Sequence, residues 1–82
     1  MDHRAEVDYM MLRLRIMEYI RDSEEASFFQ MSKDLDLRPD ILAKELKTLK
    51  DKECVTVYEG GFYSLTLEGE RELKQLKGEH DA

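Results

Sequence analysis

Between Ala5 and Asp22 apolar residues recur at helical spacing, and no Gly or Pro interrupts them. At 100° per residue they fall into two stripes. Val7, Met10, Met11, Leu14 and Met17 form one. Tyr9, Leu12, Ile16, Tyr19 and Ile20 form the other, roughly opposite, and only a strip with Asp8, Arg15 and Asp22 is purely polar. A helix apolar on two sides is covered on two sides. One stripe faces the domain's own core; the other faces a second copy or further elements of the same domain. After the polar break Asp22-Ser23-Glu24-Glu25, the run Ser27-Phe28-Phe29-Gln30 has the S-x-x-Q form of a capping box. It predicts a short helix to about Asp36, with Phe28, Met31 and Leu35 on one face. Leu37-Arg38 makes a turn, and Pro39 takes a first helical position, where its missing N–H costs nothing. The helix it opens runs to about Lys52, with Leu42, Leu46 and Leu49 on one stripe.

The period then changes from helical to alternating. Cys54-Val55-Thr56-Val57-Tyr58, then Glu59-Gly60-Gly61, then Phe62-Tyr63-Ser64-Leu65 predict a hairpin. A three-residue loop over 59–61 pairs Val57 with Tyr63 and Val55 with Leu65, which gathers the apolar residues on one face. A two-residue loop would mix the faces. In the chosen register Gly61 supplies the left-handed residue, so Gly61→Val should be costly and Gly60→Ala milder. Tyr58 and Phe62 form a cross-strand aromatic pair. Thr66 caps a last helix, from Leu67 to about Lys77, which bears Leu73 and Leu76.

The chain has 82 residues, 41% hydrophobic and 39% charged. That suits a single domain over 1–82, with a folded core of about 5–77 and a frayed polar tail at 78–82. The longest apolar run, Tyr9 to Leu12, is far short of the ~20 residues that span a bilayer, and no export leader is evident. One cysteine, Cys54, fits a reducing cytoplasm. With His3 and His80 at the ends, no zinc site, other metal, cofactor or small-molecule ligand is expected. No Ser or Cys nucleophile has a base beside it, so an enzyme is not expected. The net charge is −6, unfavourable for a generic polyanion binder. The excess lies in the two ends: residues 33–53 balance six basic against six acidic groups.

A short helix, a tight turn, a longer helix and a two-stranded hairpin, in that order, resemble a winged helix-turn-helix. Leu35-Asp36-Leu37-Arg38-Pro39 is similar to the turn of that family, which runs leucine, any residue, leucine, serine, proline. Leu42, Leu46 and Leu49 sit where its buried recognition-helix residues sit, and Cys54-Val55 resembles its leucine-valine entry to the wing. Tyr63-Ser64-Leu65-Thr66-Leu67-Glu68-Gly69 is similar to the Y-x-L-T-x-x-G that closes many bacterial and archaeal wings. The fold class implied is α+β, mostly α: a three-helix core, a two-stranded wing and a C-terminal helix.

The resemblance implies a homodimeric transcriptional regulator that binds double-stranded DNA sequence-specifically, with helix 39–52 in the major groove. Its outward side carries Asp40, Lys44, Lys47 and Thr48, and Arg38 lies at the turn. The lysines are candidates for guanine edges or phosphates, Thr48 for a base, and Arg38 for a phosphate. Lys44 is also four residues from Asp40 and Lys47 four from Asp51, so both could form surface pairs instead. The family template puts Ile16 and Ile20 in the monomer core. Val7, Met10, Met11 and Leu14 then form a dimer face, with Leu73 and Leu76 as its complement. Three departures from the family pattern stand out: Glu59-Gly60-Gly61 puts no cation on the wing tip, Asp40 would repel a phosphate, and Glu53 stands where a glycine ends the helix. They weaken the DNA reading without touching the fold; the alternative is a winged helix whose apolar first helix and acidic surface dock another protein and that binds no nucleic acid.

Overall fold

Helix α1 spans His3–Asp22. The computed structural model describes residues 3–78 and, within them, side chains from residue 9 onward. Val7, assigned above to a dimer face, lies outside the described side chains. Ile16, Met17 and Ile20 of α1 are fully buried. Ile16 and Ile20 are thus core residues as expected. Met17 departs from its stripe, because α4 (Leu67–Lys77) packs along α1. Leu73 of α4 is only 1% exposed and belongs to the same core. Its assignment to a dimer interface is therefore corrected: its surface is already covered within the monomer. Leu14 and Leu76 are half-buried against that core.

The chain leaves α1 through Ser23 and pairs at Ala26–Ser27 as a two-residue strand, β1. Ala26 is completely buried. Ser27 then caps α2 (Phe28–Asp34), its hydroxyl accepting the Gln30 N–H at 3.2 Å. The helix stops at Asp34, short of the expected Asp36. Leu37 N–H returns to Ser32 C=O at 3.0 Å, and Asp36 adopts φ 56°. These are the marks of a Schellman ending, which places a left-handed residue just past the helix. Met31 faces the core.

Helix α3 spans Pro39–Asp51 with Pro39 in its first turn, and Leu42, Leu46 and Leu49 are buried as the stripe predicts. Its end is also a Schellman motif. Cys54 N–H donates to Leu49 C=O at 2.8 Å, Glu53 N–H donates to Lys50 C=O at 2.9 Å, and Glu53 sits at φ 62°. The absence of glycine therefore does not blur this helix end; it forces a glutamate into a left-handed conformation.

Strands β2 (Val55–Tyr58) and β3 (Phe62–Leu65) pair antiparallel in the predicted register: Val55 with Leu65, Thr56 with Ser64, Val57 with Tyr63, Tyr58 with Phe62. β1 adds to the other edge of β3, giving an antiparallel sheet of order β1-β3-β2. Of the apolar face, Val55 is buried, Tyr63 and Leu65 are half-buried, and Val57 is largely open. Both loop glycines are left-handed, Gly60 at φ 92° and Gly61 at φ 81°. A Cβ on Gly60 would also meet the Phe62 ring at 2.9 Å. The expectation that Gly60 tolerates a side chain more readily is thus corrected. The molecule is a small, mostly helical α+β domain. Among the described residues, no helix is long and apolar enough to cross a membrane.

Candidate functional site

α3 positions the candidate side chains by its own amphipathicity. With one stripe held in the core by Leu42, Leu46 and Leu49, the opposite side must face outward. Asp40, Ala43, Lys44, Lys47 and Asp51 are exposed there, and Thr48 is half-buried at its edge. Arg38, the residue before Pro39, is equally open.

The ion pairing differs from the i,i+4 expectation at one end. Arg38 Nη2 lies 3.1 Å from Asp40 Oδ2, so Asp40 pairs backward with Arg38 and not forward with Lys44. Lys44 consequently makes no ion pair among the described residues. Lys47 does pair with Asp51, at 3.3 Å, as the spacing allowed. Both pairs are well exposed, and such contacts are worth ~0–1 kcal/mol. A competing phosphate could displace them. The Thr48 hydroxyl donates to the Lys44 C=O at 3.1 Å and is therefore already engaged by the backbone.

A shallow groove runs beside this face, lined by Phe28, Ala43, Lys47, Lys50 and Tyr63. It places Lys50, absent from the candidates drawn from sequence, next to Lys47. Lys50 sits one turn after Leu46 on the wheel, at the margin of the leucine stripe, which is why the division into inner and outer faces passed it over. Lys50 also borders a second hollow with Glu53 and Glu68, so the outer side of α3 is close to balanced in charge, against −6 for the whole chain.

On the hairpin, Tyr58 and Phe62 face each other across the strands with ring centroids 6.1 Å apart. The Tyr58 hydroxyl donates to the Glu24 C=O at 3.3 Å. They form the expected cross-strand pair.

Of the residues assigned to a dimer face, Met10 and Met11 are 56% and 53% exposed, and Tyr9, from the opposite stripe, is open beside them. The described start of α1 is thus apolar and uncovered. The buried side of α3 holds a residue that the sequence reading missed altogether. Glu45 lies among the leucines at 4% exposure, and Arg13 Nε of α1 donates to its Oε1 at 3.1 Å. No family model matches the chain, and no curated protein matches it.

Proposed function

We propose that this chain is a winged helix-turn-helix protein that binds double-stranded DNA as a homodimer, with α3 entering the major groove. The observation that carries the reading is Lys44: an exposed cation with no ion pair among the described residues, on a helix whose opposite face is sealed by leucines. Lys47, Lys50 and Arg38 flank it, and the tight turn between α2 and α3 presents the N-terminal part of α3 outward, as groove entry requires. The order of helix, short helix, turn, helix, hairpin and helix supports the fold assignment. The net charge of −6 and the Glu59 at the hairpin tip make binding weak, and the few cations on α3 keep its salt slope shallow.

The second copy supplies the cover for Met10 and Met11, with Leu14 and Leu76 at the margin. Sedimentation at micromolar concentration tests this directly: a species of 9.7 kDa would remove the dimer.

For DNA, a labelled random duplex is titrated at several salt concentrations. Lys47→Ala should lower affinity for all sequences and reduce the salt slope by about one unit. Lys44→Ala should cost about 1–3 kcal/mol on a preferred site and relax preference there. Asp40→Ser should tighten binding to any duplex. No salt-sensitive binding at low ionic strength, where attraction is least screened, would overturn the DNA reading in favour of a protein-docking module.

A further inference from the structure

Glu45 is the one charged residue of the described core. Its carboxylate sits on the same side of α3 as Leu42, Leu46 and Leu49, where an apolar residue would be the ordinary choice. Its partner is 32 residues earlier, on a different helix. The two helices share one apolar core but differ in their nearest backbone neighbours. α1 rests mainly on α4 and β3, whereas α3 rests on α2 and β2. The Arg13–Glu45 contact is a direct polar bridge between them.

The leucines of α3 resist rotation through the shape of their packing and add no directional bond of their own. A guanidinium–carboxylate bond is directional, and breaking it leaves a desolvated carboxylate without a partner. Such a pair adds little stability over a well-packed apolar replacement, but it penalises every arrangement except one.

We infer that Arg13 and Glu45 are positioning residues that fix the rotation of α3 relative to α1. This rests in part on the proposed function, for there it has a use. Rotation of α3 decides whether Lys44 and Lys47 face the duplex. α1 is also the helix that carries the uncovered Met10 and Met11, so the same bridge relates each DNA-facing helix to the dimer contact. Neither residue touches DNA; both act through α3.

The test uses the full chain with two variants, Arg13→Met/Glu45→Leu and Glu45→Gln. The first replaces the pair by apolar side chains. The second keeps a carbonyl acceptor for the Arg13 N–H. Residual dipolar couplings of α3 amides, referred to those of α1, report orientation without any ligand. We expect the double variant to remain folded, with α3 couplings averaged or reoriented, and Glu45→Gln to keep the parent couplings. Duplex affinity of the double variant should fall roughly tenfold, the scale of losing one well-placed polar contact. Parent-like α3 couplings in the double variant would overturn the inference. So would failure of that variant to fold, since the pair would then supply stability rather than orientation. Equal disturbance in Glu45→Gln would point to general core damage and overturn it too. If the couplings change as expected while the parent binds no DNA, the positioning role stands and the DNA reading falls.

Discussion

The Thr66 hydroxyl donates to the C=O of Glu53 at 2.6 Å and accepts the N–H of Gly69 at 2.9 Å. One side chain thereby caps the start of α4 and satisfies the residue just past the end of α3, with the whole hairpin between them. Ser27 performs only the first of these tasks. Thr66→Ala should therefore cost more than Ser27→Ala, about 1.5–2 kcal/mol against about 1, since caps are worth ~0.5–2 kcal/mol and the second hydrogen bond, an exposed one, adds about 0.5–1 kcal/mol. Thr66→Ser should stay close to the parent. Urea denaturation of the three variants checks the order.

Glu53 and Asp36 both occupy left-handed positions after helices, at φ 62° and φ 56°. Glu53→Gly should raise stability by about 0.5–1 kcal/mol: relief of a left-handed side chain is worth ~1–2 kcal/mol, and the greater freedom of glycine in the unfolded chain offsets part of it. Asp36→Gly should gain less, because aspartate tolerates this region better. A shift in thermal midpoint that favours Glu53→Gly over Asp36→Gly is the expected result.

At the hairpin tip both glycines need positive φ, but only Gly60 also lacks room. Gly60→Ala should destabilise at least as much as Gly61→Ala, by about 1–2 kcal/mol, part of the contact with Phe62 being relieved by movement of the ring. Chemical denaturation measures the difference.

Tyr19 donates to Asp34 Oδ2 at 2.6 Å. That hydrogen bond, with smaller contributions from burial and from the Asp34 charge, raises the phenol above its ordinary value, while Ser23 opposes. A raised value means that the folded state holds the proton more tightly. The stabilisation is complete below the unfolded value, near pH 10, and is lost as pH rises through the folded one. Tyr19→Phe should therefore flatten the alkaline decline of stability, and the phenolate absorbance of the parent should show one tyrosine titrating late.

What the sequence could disclose depended on periodicity. The leucine stripe of α3, Pro39 at its start, the Ser27 and Thr66 caps and the hairpin register all follow from local spacing, and each matches the structure. β1 did not, because two residues, Ala26 and Ser27, are too few to show any period. Leu73 was assigned to a dimer face, and Met17 to neither side, because a wheel gives directions but not neighbours. Only the packing of α4 on α1 decides which stripe is covered. The closing glycine of the Y-x-L-T-x-x-G pattern was legible as a resemblance but not as physics. In the structure a Cβ on Gly69 would overlap the backbone carbonyl of Cys54. Of the site, the exposed side of α3 was readable, but the Arg38–Asp40 pair that frees Lys44 was not, since Asp40 had two cations within reach. The Arg13–Glu45 bridge left no local signal at all.

Cys54 lies where these restraints meet. Its N–H closes the end of α3 on Leu49, its C=O receives the Thr66 N–H at 3.0 Å, and its side chain is 1% exposed. Burial pushes the thiol up from its ordinary value, the charge of Glu72 adds to this, and Lys52 opposes. In the closed molecule the sulfur is therefore both inaccessible and protonated, and a thiol reagent must wait for the junction of α3, β2 and α4 to come apart. With reagent in modest amount, the rate of modification follows the fraction of time spent open. The chain thus carries its own clock for local opening: a second copy or a DNA duplex that binds the closed form should slow that clock, by a factor that measures how tightly it binds.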